Sequence, residues 1–67
     1  MISLRVNGEP YQFDTDCSIE NALGVLGFRH NEVAVAINSE FVPRGEYAQT
    51  LLKEGDRVDV VAPVQGG

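Results

Sequence analysis

Ile2, Leu4 and Val6 alternate with Ser3 and Arg5, an apolar period of two that predicts a half-buried strand. Asn7-Gly8 follows at once. A two-residue type I′ turn needs positive φ at both central positions, so this pair predicts a hairpin. The returning strand covers residues 9–13, with Tyr11 and Phe13 on one face. Pro10 has no N–H for a second ladder and suits the sheet edge. Asp14-Thr15-Asp16 is a turn, after which Asp16 or Ser18 can cap a helix. Ile19, Ala22, Leu23 and Leu26 stand at i, i+3, i+4 and i+7, a single apolar helical stripe. Gly24 weakens that helix by about 1 kcal/mol relative to Ala, and Gly27 is placed to stop it in the left-handed conformation.

The second half changes period. Val33, Val35 and Ile37 alternate with Ala34 and Ala36, which predicts a strand apolar on both faces, covered or near the sheet centre. Asn38-Ser39-Glu40 turns into a short strand, Phe41-Val42, closed by Pro43. Residues 44–49 read as an irregular or single-turn crossover, and Leu51 and Leu52 as plugs of the core. After a turn at 53–56, Val58, Val60, Ala62 and Val64 share one side of a last strand and Val61 takes the other. Pro63 should loosen the ladder there. One helix for four to five strands buries its apolar faces most economically as a mixed sheet with the helix packed across one side. A hairpin followed by a helix crossover returns the chain parallel to the first strand. The expected fold is therefore α+β, a ubiquitin-like β-grasp roll over residues 1–63, with residues 64–67 as a flexible tail.

At 67 residues the chain makes one domain. A domain this short buries only about 60% of its unfolded surface, which leaves little room for a deep catalytic cleft. Ten acidic against five basic residues give a formal net charge of −5. That sign argues against nucleic-acid binding and for a basic protein surface as partner. No apolar run approaches the ~20 residues of a membrane span. The start is strand-like rather than signal-like, so a cytosolic protein is expected. Cys17 is the only cysteine and reads as a packed structural residue; His30, the only histidine, reads as a solvated loop residue. No metal site, bound cofactor or acid–base constellation is visible, which disfavours a self-sufficient enzyme.

The chemistry is instead concentrated at Gly66-Gly67. Without Cβ atoms these residues form a thin stem that can enter a narrow channel and present a carboxylate to another protein. Ala36-Ile37-Asn38, Val42-Pro43-Arg44, Leu52 with Gly55-Asp56 after it, a Val-rich last strand and the terminal Gly-Gly occur together here. In this combination the chain resembles the ThiS family, the small sulfur carriers of thiamine biosynthesis. The resemblance implies a carrier that is not itself an enzyme. An E1-like adenylyltransferase would activate the Gly67 carboxylate with ATP. A persulfide sulfur, drawn from cysteine through a desulfurase, would displace AMP to leave a thiocarboxylate, and thiazole synthase would receive the sulfur.

Docking is expected through Gln65, Gly66 and the sheet face near the tail, with Val64, Val61, Phe41 and Val42 as contacts and Asp59 and Glu54 as an acidic rim. Arg44, inside the shared motif, could hold a local ion pair or touch the partner. The free chain is expected to be a monomer. Alternatives stay open, among them a carrier for another sulfur-containing metabolite. Ala62-Pro63-Val64 also resembles the end of the molybdopterin synthase small subunit, a carrier with the same roll. A ubiquitin-like modifier or binding domain would use Gly67 for an isopeptide bond or not at all.

Overall fold

The computed structural model describes residues 1–29 and 31–62. His30, Pro63 and the whole stem of Val64, Gln65, Gly66 and Gly67 lie outside the described residues, and with them the expected tail.

Strands β1 (Ile2–Val6) and β2 (Glu9–Phe13) form the predicted hairpin, paired from Ile2–Phe13 to Val6–Glu9. Asn7 and Gly8 both have positive φ, 52° and 85°, as the turn demands. Helix α1 (Ile19–Leu26) crosses next, followed by β3 (Ala34–Ile37), β4 (Glu40–Val42), a 3₁₀ turn (Arg44–Glu46) and β5 (Arg57–Val61). The sheet runs β2-β1-β5-β3-β4. It is mixed: β1 and β5 are parallel, and the other neighbours antiparallel. Pro10 does sit on an edge strand. The strand parallel to β1 is β5, not β3 as expected from the crossover. A helix crossover preserves the direction of the strand it leaves. That strand is β2, so β3 runs with β2 and against β1 and β5.

One face of the sheet meets the helix. Ile2, Leu4, Val6, Val35, Val42, Val58 and Val60 close on Ile19, Ala22 and Leu23 in a single cluster with Phe13, Cys17, Tyr47 and Leu52. Ser18 caps the helix through its Oγ, which accepts from Asn21 N at 3.1 Å, and Gly27 ends it at φ 88°. The first-turn amides that lack helical partners find them outside the helix. Ile19 N donates to Thr50 O at 3.0 Å and Glu20 N to Tyr47 O at 3.2 Å. This ties the irregular segment 47–52 across the start of α1. Tyr47 is 1% exposed and its hydroxyl donates to Val33 O at 3.2 Å, so an aromatic that carried no periodic signal is a central core residue. Leu52 is buried as expected, but Leu51 is 48% exposed. Successive residues of an extended segment point to opposite sides, so only one of the two can plug the core.

Both hairpins turn on Asn in the left-handed region, and both asparagines grip β5. Asn7 Oδ1 accepts from Val60 N at 2.8 Å. Asn38 Oδ1 accepts from Arg57 N at 3.0 Å, and its Nδ2 donates to Asp56 Oδ1 at 3.1 Å. The second oxygen of buried Asp56 accepts from Lys53 N at 2.8 Å, closing the turn that launches β5. Two of the shared motifs, Ala-Ile-Asn and Gly-Asp, are therefore halves of one structural clasp. Asn38→Ala removes both side-chain bonds and places a Cβ-bearing residue without Asn's local compensation at φ 52°. It is expected to cost about 2–3 kcal/mol. Asn38→Gly keeps the turn and should recover about 1 kcal/mol of that loss. Urea titrations of the three proteins measure both steps.

Candidate functional site

The side of the sheet away from α1 is built by the alternate positions of the same strands. Val61 pairs with Ala34, and Ala36 lies between Asp59 and Phe41. Phe41 and Val61 are 67% and 62% exposed, while Ala34 and Ala36 between them are half-buried. The two alanines make a low floor from which the larger side chains stand up. The apolar second face of β3 is thus a surface and not a covered layer: among the described residues no element packs over it. The sequence signal was present in the small size of Ala34 and Ala36, which suits a floor against which another protein can lie closely.

Of the expected contacts, Phe41 and Val61 share this face. Val42 does not. It is 9% exposed and pairs with Val35 on the helix side, because it neighbours Phe41 and must point the other way. Val64, Gln65 and Gly66 lie outside the described residues, as does the Gly67 carboxylate. The rim also changes. Asp59 stands on the patch side, 3.7 Å from Arg57. Glu54 lies at the opposite end of the sheet, in the turn before β5, where its carboxylate accepts from Ser3 N at 2.9 Å.

β5 ends at Val61, at the end of the sheet beside this patch. β4 and β5 are both antiparallel to β3, which brings the end of β4, with Pro43 and Arg44, to that same end of the sheet. There Arg44, Arg29 and Ala62 line one shallow pocket. Cys17 takes no part. It is buried before α1, with its Sγ 3.4 Å from Ser18 O. Burial, and next the nearby Asp14 charge, push its thiol pKa up, away from the thiolate a nucleophile needs. Among the described residues no three His, Cys, Asp or Glu side chains converge as metal ligands. No helix among them is long and apolar enough to cross a membrane. What the described residues offer is an exposed apolar face at the end of the sheet where β5 finishes.

Comparison with known proteins gives this arrangement a context. The sequence profile of the ThiS family matches residues 4–67. The chain is 39% identical over 66 residues to a thiazole synthase of Paramagnetospirillum magneticum, a match that spans 98% of this chain and 20% of that protein. A thiazole synthase of Magnetococcus marinus is 36% identical with the same coverage. The chain thus spans a fifth of the length of these curated relatives. The sulfur carrier protein ThiS of Escherichia coli K12 is 27% identical, with 98% of this chain and all of that protein covered. The crystal structure of the thiamine biosynthesis protein ThiS from Geobacter metallireducens superposes with a TM-score of 0.81 at 29% identity, over 98% of this chain and all of that one. The profile reaches from β1 through the Gly-Gly pair, and the fold is the expected α+β roll with a mixed sheet and a helix packed across it: this chain belongs to the ThiS family.

Proposed function

We propose that this chain carries sulfur for thiamine biosynthesis as a thiocarboxylate on Gly67. The observation that carries this reading is the family match through residue 67, which includes the Gly-Gly stem as well as the fold.

A resting carboxylate is a poor acyl donor, so activation precedes transfer. In an E1-like adenylyltransferase, a Gly67 carboxylate oxygen attacks the α-phosphorus of ATP and pyrophosphate leaves. The terminal sulfur of a persulfide, charged by a cysteine desulfurase, then attacks the acyl carbon and AMP departs. A second thiol cleaves the resulting acyl disulfide and frees the thiocarboxylate. This chain supplies the acyl group, its thin stem and a docking face; ATP and the sulfur source belong to the partners. Holding the acyl carbon against the nucleotide is a positioning task, and a Cβ-free stem lets the partner's channel close around the backbone. Phe41 and Val61, exposed at the root of the stem, fit as the apolar contacts, joined by Val64, Gln65 and Gly66.

Thiazole synthase is the proposed sulfur acceptor. Relatives that bear that name hold a stretch similar to this chain as a fifth of their length. A covalent tether raises the effective concentration of a carrier at its acceptor to the millimolar range, and selection for it follows if the two exchange sulfur.

The test is the intact mass of the chain after incubation with the adenylyltransferase, ATP, cysteine and desulfurase. Exchange of one oxygen for sulfur adds about 16 Da, confined to the peptide ending in Gly67. Addition of thiazole synthase and its other substrates should reverse the gain. Conjugates on lysine would instead identify a modifier, and an unchanged mass would remove the carrier reading.

A further inference from the structure

We infer that Arg44 docks this chain onto its activating enzyme by pairing with a carboxylate at the mouth of the channel that receives the stem. The inference rests on the carrier reading above and adds to it the contact that sets the orientation of the complex.

The chain has only five cationic side chains against ten acids. Three of the five are engaged locally. Arg5 donates to Gly8 O at 3.2 Å, Arg29 lies 3.6 Å from Glu32, and Arg57 lies 3.7 Å from Asp59. The Arg44 side chain is exposed and has no hydrogen bond or ion pair among the described residues. Lys53 lies at the far end of the sheet, in the turn before β5. Among the described residues Arg44 is therefore the unpaired positive charge at the end of the sheet where β5 finishes. Its placement is built into the fold. β4 and β5 run the same way, Pro43 stops β4, and the 3₁₀ turn begins at Arg44 beside Ala62.

Position also decides what Arg44 can meet. Residues 63–67 span at most about 16–18 Å when extended. An arginine side chain is far shorter, so with the stem inserted Arg44 stays outside and cannot accompany Gly67 to the nucleotide. Its counter-charge is then a protein carboxylate at the channel mouth and not a phosphate of ATP. The rest of the docking side favours a basic partner, with Asp59 beside the patch and a net charge of −5. A single acid set among the partner's basic residues can satisfy Arg44 in one orientation only. In another orientation that acid would face Asp59. Such charge patterns select register and partner more than they add affinity.

Steady-state ATP–pyrophosphate exchange by the E1-like adenylyltransferase, with the full chain as varied substrate, tests this. Arg44→Glu should raise KM for the chain about tenfold or more, as expected for reversal of an interface charge, with kcat within about twofold. Arg44→Ala should show a smaller rise, and Arg44→Lys should retain most of the wild-type value. The wild-type KM should climb with salt, and that of Arg44→Ala should climb less. Replacing the mouth carboxylate of the enzyme by Arg should restore Arg44→Glu. An unchanged KM for Arg44→Glu on an enzyme that activates the wild-type chain overturns the inference. So does a loss that tracks a lowered Tm and is not rescued by the charge swap. Sulfur loading of the wild-type chain reports on the carrier reading separately.

Discussion

One alanine added after Gly67 should reduce thiocarboxylate formation by at least about 100-fold, the loss associated with misplacing a reacting atom by an ångström or more. The reacting carbon would move one residue along the chain, by about 3.3–3.6 Å, and the new terminus would carry a methyl group into the narrow channel proposed for the activating enzyme. The residues of the described fold, with β5 over Arg57–Val61, keep their sequence. Circular dichroism and the urea midpoint of the lengthened chain should therefore match those of the original. Gly66→Ala should act in the same direction, since it thickens the stem without shifting its end. The intact-mass measurement after incubation with adenylyltransferase, ATP and a persulfide source decides the matter. A lengthened chain that still gains sulfur would mean that Gly67 is not the acyl donor.

Tyr47→Ala should unfold the domain at ordinary temperatures. Loss of a buried aromatic costs about 3–5 kcal/mol through lost contacts and the cavity left behind. A core of this size supplies about 3–5 kcal/mol of net stability in all. The two figures are equal within their spread, so the variant should populate the unfolded state heavily. Tyr47→Phe keeps the ring and removes only the bond to Val33 O, which should cost about 1–2 kcal/mol. Far-UV circular dichroism along a urea gradient separates the three proteins. A Tyr47→Ala midpoint equal to the original would show that the segment 47–52 is not part of the cooperative core.

The contrast between these two predictions reflects what the sequence makes visible. The hairpin at Asn7-Gly8, the helix from Ile19 to Leu26 and the alternating strands were legible because each is written in local periodicity and turn chemistry. Gly66-Gly67 was legible as a candidate acyl terminus for a similar reason: its chemistry depends on having no side chain rather than on any neighbour. Tyr47 was not, since its burial comes from a 3₁₀ turn that swings it beneath the start of α1, a relation between segments far apart in the chain. The same holds for the clasp of Asn38 and Asp56, eighteen residues apart. As motif residues they could have been read as chemical, yet their bonds are structural.

The exposed apolar face shows the division most plainly. By itself the sequence determined that Phe41 and Val42 lie on one strand and Val61 on another, because apolar alternation is a property of the local backbone. Which of them faces the solvent depended on where the single helix lies, and a period of two describes two equivalent faces without ranking them. Only the packing of α1 over Val35, Val42, Val58 and Val60 made the opposite side, with Phe41, Val61 and the Ala34–Ala36 floor, the open one. Strand order likewise brought Arg44 to the root of the stem, since proximity between chain positions 44 and 62 exists only once β3 has been placed between β4 and β5.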